Sequence, residues 1–300
     1  MVGVFFPTPY PDECLYSILC RYCVRSGLPY EAVSTVLFGN VQNLKASVYL
    51  PIHLERVDDW CPPSSGITRN IIAANHTMYP YWVISYPINR RIEIDNVING
   101  KKSTTEQNYT GYLKTLYSQA KYLRYCPLCA ADDIKKYGET YWHRSHQLSE
   151  MLYCVKHEVR ITNSVALLND ASTKYNPASS AIKLDCAPDM HDDLDPHKDK
   201  LLKIGRECKW LIEHGLGVDW SVNGYEKYWR LLRDKGLASI KGYCNDHNVI
   251  NKSFFDYWGK GFLDALFDNI GIPRFESWYH KFGQTQVSKF TPLYHILVMC

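Results

Sequence analysis

Long apolar stretches are absent from this sequence of 300 residues. It has no run of about 18 consecutive apolar residues, the length that crosses a bilayer. Its first residues, MVGVFFPTPYPDE, lack the basic segment and apolar core of a secretory signal. Neither a membrane span nor a signal peptide is predicted, so we expect a cytoplasmic protein without a membrane partner.

Recognisable catalytic motifs are absent as well. The sequence contains no G-x-x-x-x-G-K-[ST] phosphate loop, no G-x-S-x-G nucleophile turn and no H-E-x-x-H metalloprotease signature. Asp192, Asp193 and Asp195 cluster beside Pro196. This polar setting favours a solvated linker over the rigid carboxylate set of a nuclease. We predict that the protein is not an enzyme.

A strong net charge is also lacking. The net charge of +3 and the isoelectric point near 8.2 are too mild to identify a nucleic-acid-binding protein by charge alone. Aromatic residues, in contrast, are abundant, with 23 Tyr and 8 Trp. Such side chains fill cores and also stack on bases, so their number is compatible with binding without establishing it.

The 11 cysteines are odd in number and irregularly spaced, which in a reducing cytosol favours metal ligands and buried thiols over a disulfide framework. Cys126 and Cys129 form a C-x-x-C pair, and Cys154 and His157 form a C-x-x-H pair. Two pairs of this spacing can close a tetrahedral zinc site. Because four protein ligands leave no position for water, the predicted zinc ion is structural rather than catalytic.

Alternatives to this zinc site remain open from the sequence. The four residues could be buried thiols and a surface histidine, or the C-x-x-C pair could be a redox centre, although redox pairs favour a strand-to-helix context. His143 and His146 lie between the two halves and could replace a ligand, but we expect them to pack or to contact a partner. A second zinc site is conceivable from a less regular set: Cys186, His191, Cys208, Cys244 and His247.

Apolar spacing and turn residues predict a mainly α-helical fold. A first helix is expected after Asp12, as its cap, and is expected to end at Gly27, with a second helix over 30–38. Such a pair can be a helix-turn-helix, although most are packing units. Further helices are predicted near residues 67–74, 112–120, 139–146, 202–211, 225–232 and 254–266.

The stretch 163–200 is rich in Asn, Asp, Ser and Pro and is the best candidate for a domain boundary. We predict a first domain over residues 1–165 that contains the zinc site. A polar linker over 166–200 and a helical region over 201–300 are predicted to follow.

Several motifs together carry a resemblance to a known family. They are Pro7-x-Pro9-Tyr10-Pro11 with Glu13, Leu15, Tyr16 and Ser17; His76, Thr77 and Pro80; Arg124-Tyr125 before the first cysteine pair; Tyr137-Gly138-Glu139 with Tyr141, Trp142 and Arg144; and Trp278, Lys281, Lys289 and Pro292–Leu297. With them the sequence resembles the TniQ/TnsD family of transposon target-selection proteins over nearly its whole length. It departs at Glu158, where the family often has a glycine.

The resemblance implies a helical TniQ-type domain with a zinc-ribbon or knuckle insert, followed by a helical TnsD-type region of helix-turn-helix character. It implies a sequence-specific DNA-binding target selector of a Tn-type transposon, associated with the bacterial nucleoid. Such a protein marks a double-stranded attachment site and recruits the AAA+ regulator TnsC, with other transposase subunits as further partners. The alternative is an adaptor that bridges a guide-RNA effector complex to TnsC without reading DNA.

Basic residues near the end of the sequence are the candidate DNA contacts. Arg274, Lys281 and Lys289 alternate with aromatic residues, as in a helix-turn-helix that neutralises phosphates. His295 and Arg144 complete the predicted set, although Arg144 could equally pair with a local carboxylate, and a solvated helix face is the general alternative. The chain stops on the apolar YHILVMC, an aggregation liability if exposed, so we expect a truncated sequence that lacks further DNA-binding helices.

Overall fold

The computed structural model confirms a mainly α-helical fold, and its described residues contain one small β-sheet. The predicted helix at 112–120 and the DNA-contact candidates Arg274, Lys281 and Lys289 lie outside the described residues. The structure describes residues 5–38, 48, 54–61, 63–84, 88–98, 121–167, 175–183, 195–218, 230–237, 247–270 and 291–300.

The predicted N-terminal helix pair is present as α1 (Leu15–Ser26) and α2 (Tyr30–Phe38). The first eight residues of α1 are all buried. It ends at Gly27, whose φ of 66° is a left-handed conformation that glycine adopts without steric cost.

The prediction that Asp12 caps α1 is wrong. The residue before α1 is Cys14, which makes no side-chain capping bond. Asp12 instead turns the chain with a φ of 56°, and its carboxylate accepts hydrogen bonds from the backbone N–H of Ser145 at 3.2 Å and the Ser145 hydroxyl at 2.5 Å. Asp12 therefore joins the start of the chain to the segment that follows the first cysteine pair.

Four short helices come next, and the helix predicted near 67–74 begins slightly later than expected. Thr68 caps it, because the Thr68 hydroxyl accepts the N–H of Ile71 at 3.3 Å. The helices are α3 (Val57–Trp60), α4 (Arg69–Asn75), α5 (Tyr79–Val83) and α6 (Ile88–Ile98).

The β-sheet frames the two cysteine-containing segments. β1 (Tyr122–Tyr125) pairs in antiparallel fashion with β2 (Thr162–Leu167), with Arg124 opposite Asn163. β1 leads directly into Cys126 and α7 (Pro127–Tyr137), and β2 follows the segment that holds the second pair. The pairing of the strands therefore brings the two halves of the predicted metal site together.

The predicted helix over 139–146 is wrong. α7 ends at Gly138, which has a φ of 78°, and the described chain then forms a single 3₁₀ turn at Ser145–Gln147. The aromatic residues of this segment serve tertiary packing instead. Trp142 is fully buried, and its indole N–H donates to the carbonyl of Asn176 at 2.8 Å.

The described residues in the last third of the chain are mainly helical, as predicted. The helix predicted around 202–211 is α9 (Lys198–His214), whereas the one predicted around 254–266 is divided at Gly259, where φ is 82°. Residues 230–234 are helical, and 225–229 lie outside the description. The remaining helices are α8 (Ala178–Ala181), α10 (His247–Trp258), α11 (Lys260–Ile270) and α12 (Pro292–Met299).

One hydrophobic cluster joins the helices on both sides of the predicted linker, since α9 packs against α5 and α12. Gly215, at the end of α9, permits this approach, because a Cβ there would lie 2.0 Å from the carbonyl oxygen of Pro80. The domain limits stay a prediction.

Most of the apolar residues of α12 are buried in this cluster. Leu293 and Leu297 of α12 are at most 1% exposed, and the Trp258 indole donates to the carbonyl of Leu297 at 2.9 Å. Of the helices that the structure describes, none combines the length and the apolar character that a bilayer span requires.

Candidate metal centre

The first half of the centre is built on the start of α7. Cys126 is the N-cap residue and Pro127 follows in the first turn, a position that proline favours. This geometry directs the thiol of Cys126 back over the helix, where it accepts the N–H of Cys129 at 3.5 Å. The two thiols consequently lie on the same side of the turn.

The second half lies on a tight turn between two short extended segments. Tyr153 and Arg160 form an antiparallel bridge, and Cys154 donates its N–H to the carbonyl of Val159 at 2.8 Å. The turn closes at Glu158, whose N–H donates to the Cys154 carbonyl at 2.7 Å. Cys154 and His157 face inward from this turn toward the first pair.

The four predicted ligands converge. Their ligand atoms all lie within 4.8 Å of one another. His157 Nδ1 is 3.5, 3.3 and 3.7 Å from the sulfurs of Cys126, Cys129 and Cys154, respectively, and the sulfurs of Cys129 and Cys154 are 3.6 Å apart. A tetrahedral zinc ion requires separations of about 3.8 Å between sulfurs and about 3.5 Å between sulfur and nitrogen. The donor set therefore fits a metal ion of this size.

The thiols influence one another strongly. Hydrogen bonds from Cys126 and Cys129 lower the pKa of the Cys154 thiol, while bonding to Cys126 and Cys154 raises the pKa of Cys129. The three thiols therefore do not titrate independently. A divalent cation would displace the remaining protons, because thiolates are the form that binds zinc.

Asp132 supports the histidine from outside the cluster, and the sequence analysis missed it. The Nε2–H of His157 donates to the Asp132 carboxylate at 3.1 Å, leaving Nδ1 as the metal-facing atom. Lys156 donates to the same carboxylate. A carboxylate behind a ligating histidine fixes its tautomer and orientation. The sequence held a signal, since Asp132 follows Cys129 by one helical turn.

His143 and His146 pack beside the cluster, as expected. His143 donates from Nε2 to Asp133 at 2.9 Å, and its ring stacks on Tyr141 with centroids 4.4 Å apart. His146 is buried, and its Nε2 is 3.9 Å from the sulfur of Cys129. The His146 ring thus lies next to the ligands without belonging to the group of four that converges.

Glu158 occupies the position at which the family that the sequence resembles often has a glycine, and its φ is 55°. Only glycine adopts this left-handed conformation without steric cost, which explains why a glycine suits the position. Glu158 retains the turn, and its carboxylate accepts a hydrogen bond from Arg206 of α9 at 2.9 Å.

The N-terminal motif residues form a buried ionic network beside α1. Arg21 donates to Glu13 at 2.8 Å and to Glu139 at 3.0 Å, and the ring of Tyr10 lies 3.7 Å from the Arg21 guanidinium carbon. Burial raises the pKa of Glu13 to about 7. Sequence reasoning identified Tyr10, Glu13 and Glu139 as motif residues but could not assign these contacts.

Two of the predicted DNA contacts are described, and both are buried. Arg144 is 4% exposed and donates to the carbonyls of Ala74 at 2.7 Å and Thr77 at 2.9 Å. It also pairs with Asp12 at 3.3 Å, so the local carboxylate anticipated as an alternative is present. His295 is 3% exposed, and burial lowers its pKa to about 4. A DNA-binding role for either residue stays a prediction.

The second conceivable zinc site is described only in part. Cys208 is buried in α9, with its sulfur 3.7 Å from the hydroxyl of Tyr81. Cys186, His191 and Cys244 lie outside the described residues, as does the side chain of His247.

Comparison with known proteins identifies related sequences. A family model described as TniQ matches residues 4–161, a range that includes the whole metal centre. The chain is also similar to the Transposon Tn7 transposition protein TnsD of Escherichia coli, with 27% identity over 154 residues. The aligned part covers 51% of this chain and 30% of that relative, so the chain matches less than a third of the relative's length.

Proposed function

Since this chain belongs to the TniQ family, we propose that it selects target sites for transposition. The observation that carries this proposal is the match over residues 4–161, supported by the similarity to a protein named for Tn7 transposition. We propose a role in positioning other molecules, without catalysis of strand cleavage. Metal-stimulated nicking of DNA by the purified protein would contradict this part.

The finer proposal is a DNA-binding target selector that marks a double-stranded attachment site and recruits the AAA+ regulator TnsC, with other transposase subunits joining later. Arg274, Lys281 and Lys289 are the proposed phosphate contacts. Lysine and arginine side chains that neutralise phosphates release counterions, so binding should weaken steeply as salt rises.

We further propose that the metal centre holds one structural zinc ion through Cys126, Cys129, Cys154 and His157. Zinc would supply folding energy to the segment between β1 and β2. The ion would stabilise the surface that a partner meets, and the four protein ligands would leave it no position at which to activate water.

An adaptor that joins a guide-RNA effector complex to TnsC without reading DNA is the second candidate, and specific observations favour it. Arg144 and His295 are buried. The exposed residues of α11 are Lys260, Gly261, Asp268 and Asn269, which together carry no net charge. A helix surface without net positive charge offers phosphates no electrostatic attraction.

The two candidates are separated by DNA binding measured with the purified chain. Selection from a pool of genomic duplexes, followed by gel shifts at several salt concentrations, should give enriched sequences and a steep salt dependence. Replacing Arg274, Lys281 and Lys289 together by alanine should reduce the salt slope by about 3. Lys135→Ala, at an exposed lysine of α7, is the matched control.

Absence of any enriched sequence, or binding indifferent to salt, would overturn the DNA-reading proposal. Capture of purified TnsC by the chain in that case would support the adaptor. Failure to bind both DNA and TnsC would contradict both candidates.

A further inference from the structure

A cavity of about 250 Å³ opens beside the metal centre. Its lining comes from the residues before α1, from α7, from the segments on both sides of the 3₁₀ turn, from the turn that carries Cys154 and His157, and from α9. We call it the knuckle cavity, and its lining includes Lys136, Tyr137, Tyr141, His146, Met151 and Lys209. Cys129 and Cys154 of the metal centre line one side of it, whereas neither of the roles proposed above uses the rest of the lining.

The carboxylates that line the knuckle cavity are already paired within the protein. Asp12 accepts hydrogen bonds from Arg144 and Ser145. Asp132 is bonded by Lys156 and His157. Asp133 accepts hydrogen bonds from His143 at 2.9 Å and from the hydroxyl of Thr140 at 3.3 Å. These acidic groups therefore have little capacity left for a cationic ligand.

Two lysines of the lining, Lys136 and Lys209, have no strong ion pair with a described carboxylate. No described carboxylate forms a salt bridge with Lys136, which instead lies 4.9 Å from the ring centroid of Tyr137. Lys209 has a described partner in Glu213 at 3.9 Å, and both side chains are more than two-fifths exposed, so this pair contributes little. The cavity is consequently suited to a ligand with one negatively charged group.

His146 adds a second requirement. The ring lines the cavity and is 4% exposed, and its Nδ1 has no hydrogen-bond partner among the described residues. The Nε2 of His146 lies 3.9 Å from the sulfur of Cys129; with zinc bound, this sulfur would be a thiolate that only accepts, which would place the ring proton on Nε2. Nδ1 is then an acceptor, and a buried acceptor without a partner costs free energy until a donor arrives. The ligand should therefore carry an N–H or O–H group.

The remaining walls are apolar and aromatic, since Tyr137, Tyr141 and Met151 contribute to them. A cavity of this volume holds one or two side chains rather than a drug-sized molecule. An acidic residue with an apolar neighbour in a peptide supplies a carboxylate, backbone N–H donors and apolar surface together.

From this combination we propose that the knuckle cavity binds an acidic peptide segment of a protein partner. The carboxylate is held by Lys136 and Lys209, a peptide N–H donates to Nδ1 of His146, and an apolar neighbour packs on Tyr137 and Tyr141. The inference goes beyond the proposed function, because it holds whether or not the chain reads DNA.

A nucleic-acid backbone fits the same cavity less well. Phosphodiesters carry no donor for His146, and a duplex requires several basic residues in a row. The lining has three lysines, one of which is paired with Asp132, beside three carboxylates, and this set does not supply such a row.

The test uses the zinc-loaded full chain and two displayed pools of random heptapeptides, one with a fixed central glutamate and one with a fixed central glutamine. We expect enrichment from the glutamate pool alone. The strongest peptide should bind about 10-fold more weakly or worse after Lys136→Ala or Lys209→Ala, as for the loss of a charge-assisted hydrogen bond. Lys135→Ala, a neighbouring exposed lysine outside the lining, is the matched control.

Because both lysines are at the surface, the variants should keep the melting temperature of the parent protein, which verifies that they fold. Nuclear magnetic resonance shifts on peptide addition should concentrate at Tyr141 and His146. Equal enrichment of both pools, no enrichment, or unchanged affinity in the lysine variants would overturn the proposal. Displacement of the bound peptide by a short single-stranded oligonucleotide, with the same loss in the lysine variants, would assign the cavity to nucleic acid instead.

Discussion

Replacing Cys154 by serine tests the metal centre most sharply. Cys154 is 2% exposed, and its sulfur is 3.6 Å from that of Cys129 and 3.7 Å from Nδ1 of His157. A hydroxyl preserves the size of the thiol but is a poor zinc ligand at neutral pH. The change therefore removes one of four ligands with little effect on packing.

The magnitude follows from the energetics of structural zinc. Apparent binding free energies are about 10–16 kcal/mol for zinc-finger peptides, so loss of one ligand in four should cost about 3–4 kcal/mol. A chain of this size loses roughly 2–4 °C of melting temperature per kcal/mol. We expect Cys154→Ser to melt about 6–16 °C below the parent protein.

Metal analysis and thermal melting, each with and without a chelator, provide the assay. The parent protein should contain one zinc ion and should lose melting temperature when the chelator removes it. Cys154→Ser should contain less zinc and respond little to the chelator. Cys61→Ser, which changes a thiol that is 5% exposed but outside the cluster, is the matched control and should keep its zinc. A Cys154→Ser protein with full zinc content and an unchanged melting temperature would show that Cys154 is not a zinc ligand.

Other changes probe the surroundings of the site and the packing of the core. Asp132→Asn should weaken the affinity for zinc about 10–100-fold in competition with a chelator, because the carboxylate supports His157. An unchanged affinity would show that Asp132 does not have this role. Burial lowers the pKa of His76 to about 4. The unfolded chain, with a histidine pKa near 6.5, therefore takes up the proton first, and His76 should cost the fold up to about 3 kcal/mol of stability as pH falls from about 6.5 to 4. His76→Asn should reduce that loss in urea unfolding, and an identical pH dependence in both proteins would contradict it. Gly215→Ala should destabilise by about 1–3 kcal/mol or more, since the added Cβ meets Pro80, whereas Gly217→Ala, with open space at the Cβ, should not; equal melting of the two would argue against the described contact.

The features that sequence predicted well are those set by local chemistry. The C-x-x-C and C-x-x-H pairs identify the ligands because each spacing places two donors on one turn. Helix α2 was predicted with its observed limits, and Gly27 ends α1 because a left-handed residue is needed there.

The features that sequence could not predict depend on contacts between distant segments. Asp12 looked like a helix cap, but its carboxylate is engaged by Arg144 and Ser145, far along the chain. The segment 139–146 has enough apolar residues for a helix, yet Trp142 is buried against Asn176 instead. Local patterns hold no information about such partners.

The proposal that this chain selects target sites is tested most directly by mapping transposon insertions in cells. Cells would carry the transposon with its own transposition proteins and the intact chain, no chain, or Cys154→Ser, and new insertions would be sequenced across the genome. We expect insertions to concentrate at preferred sites with the intact chain, and this preference to be lost without the chain or with Cys154→Ser. An insertion pattern that is the same with and without the chain would contradict a role in target selection.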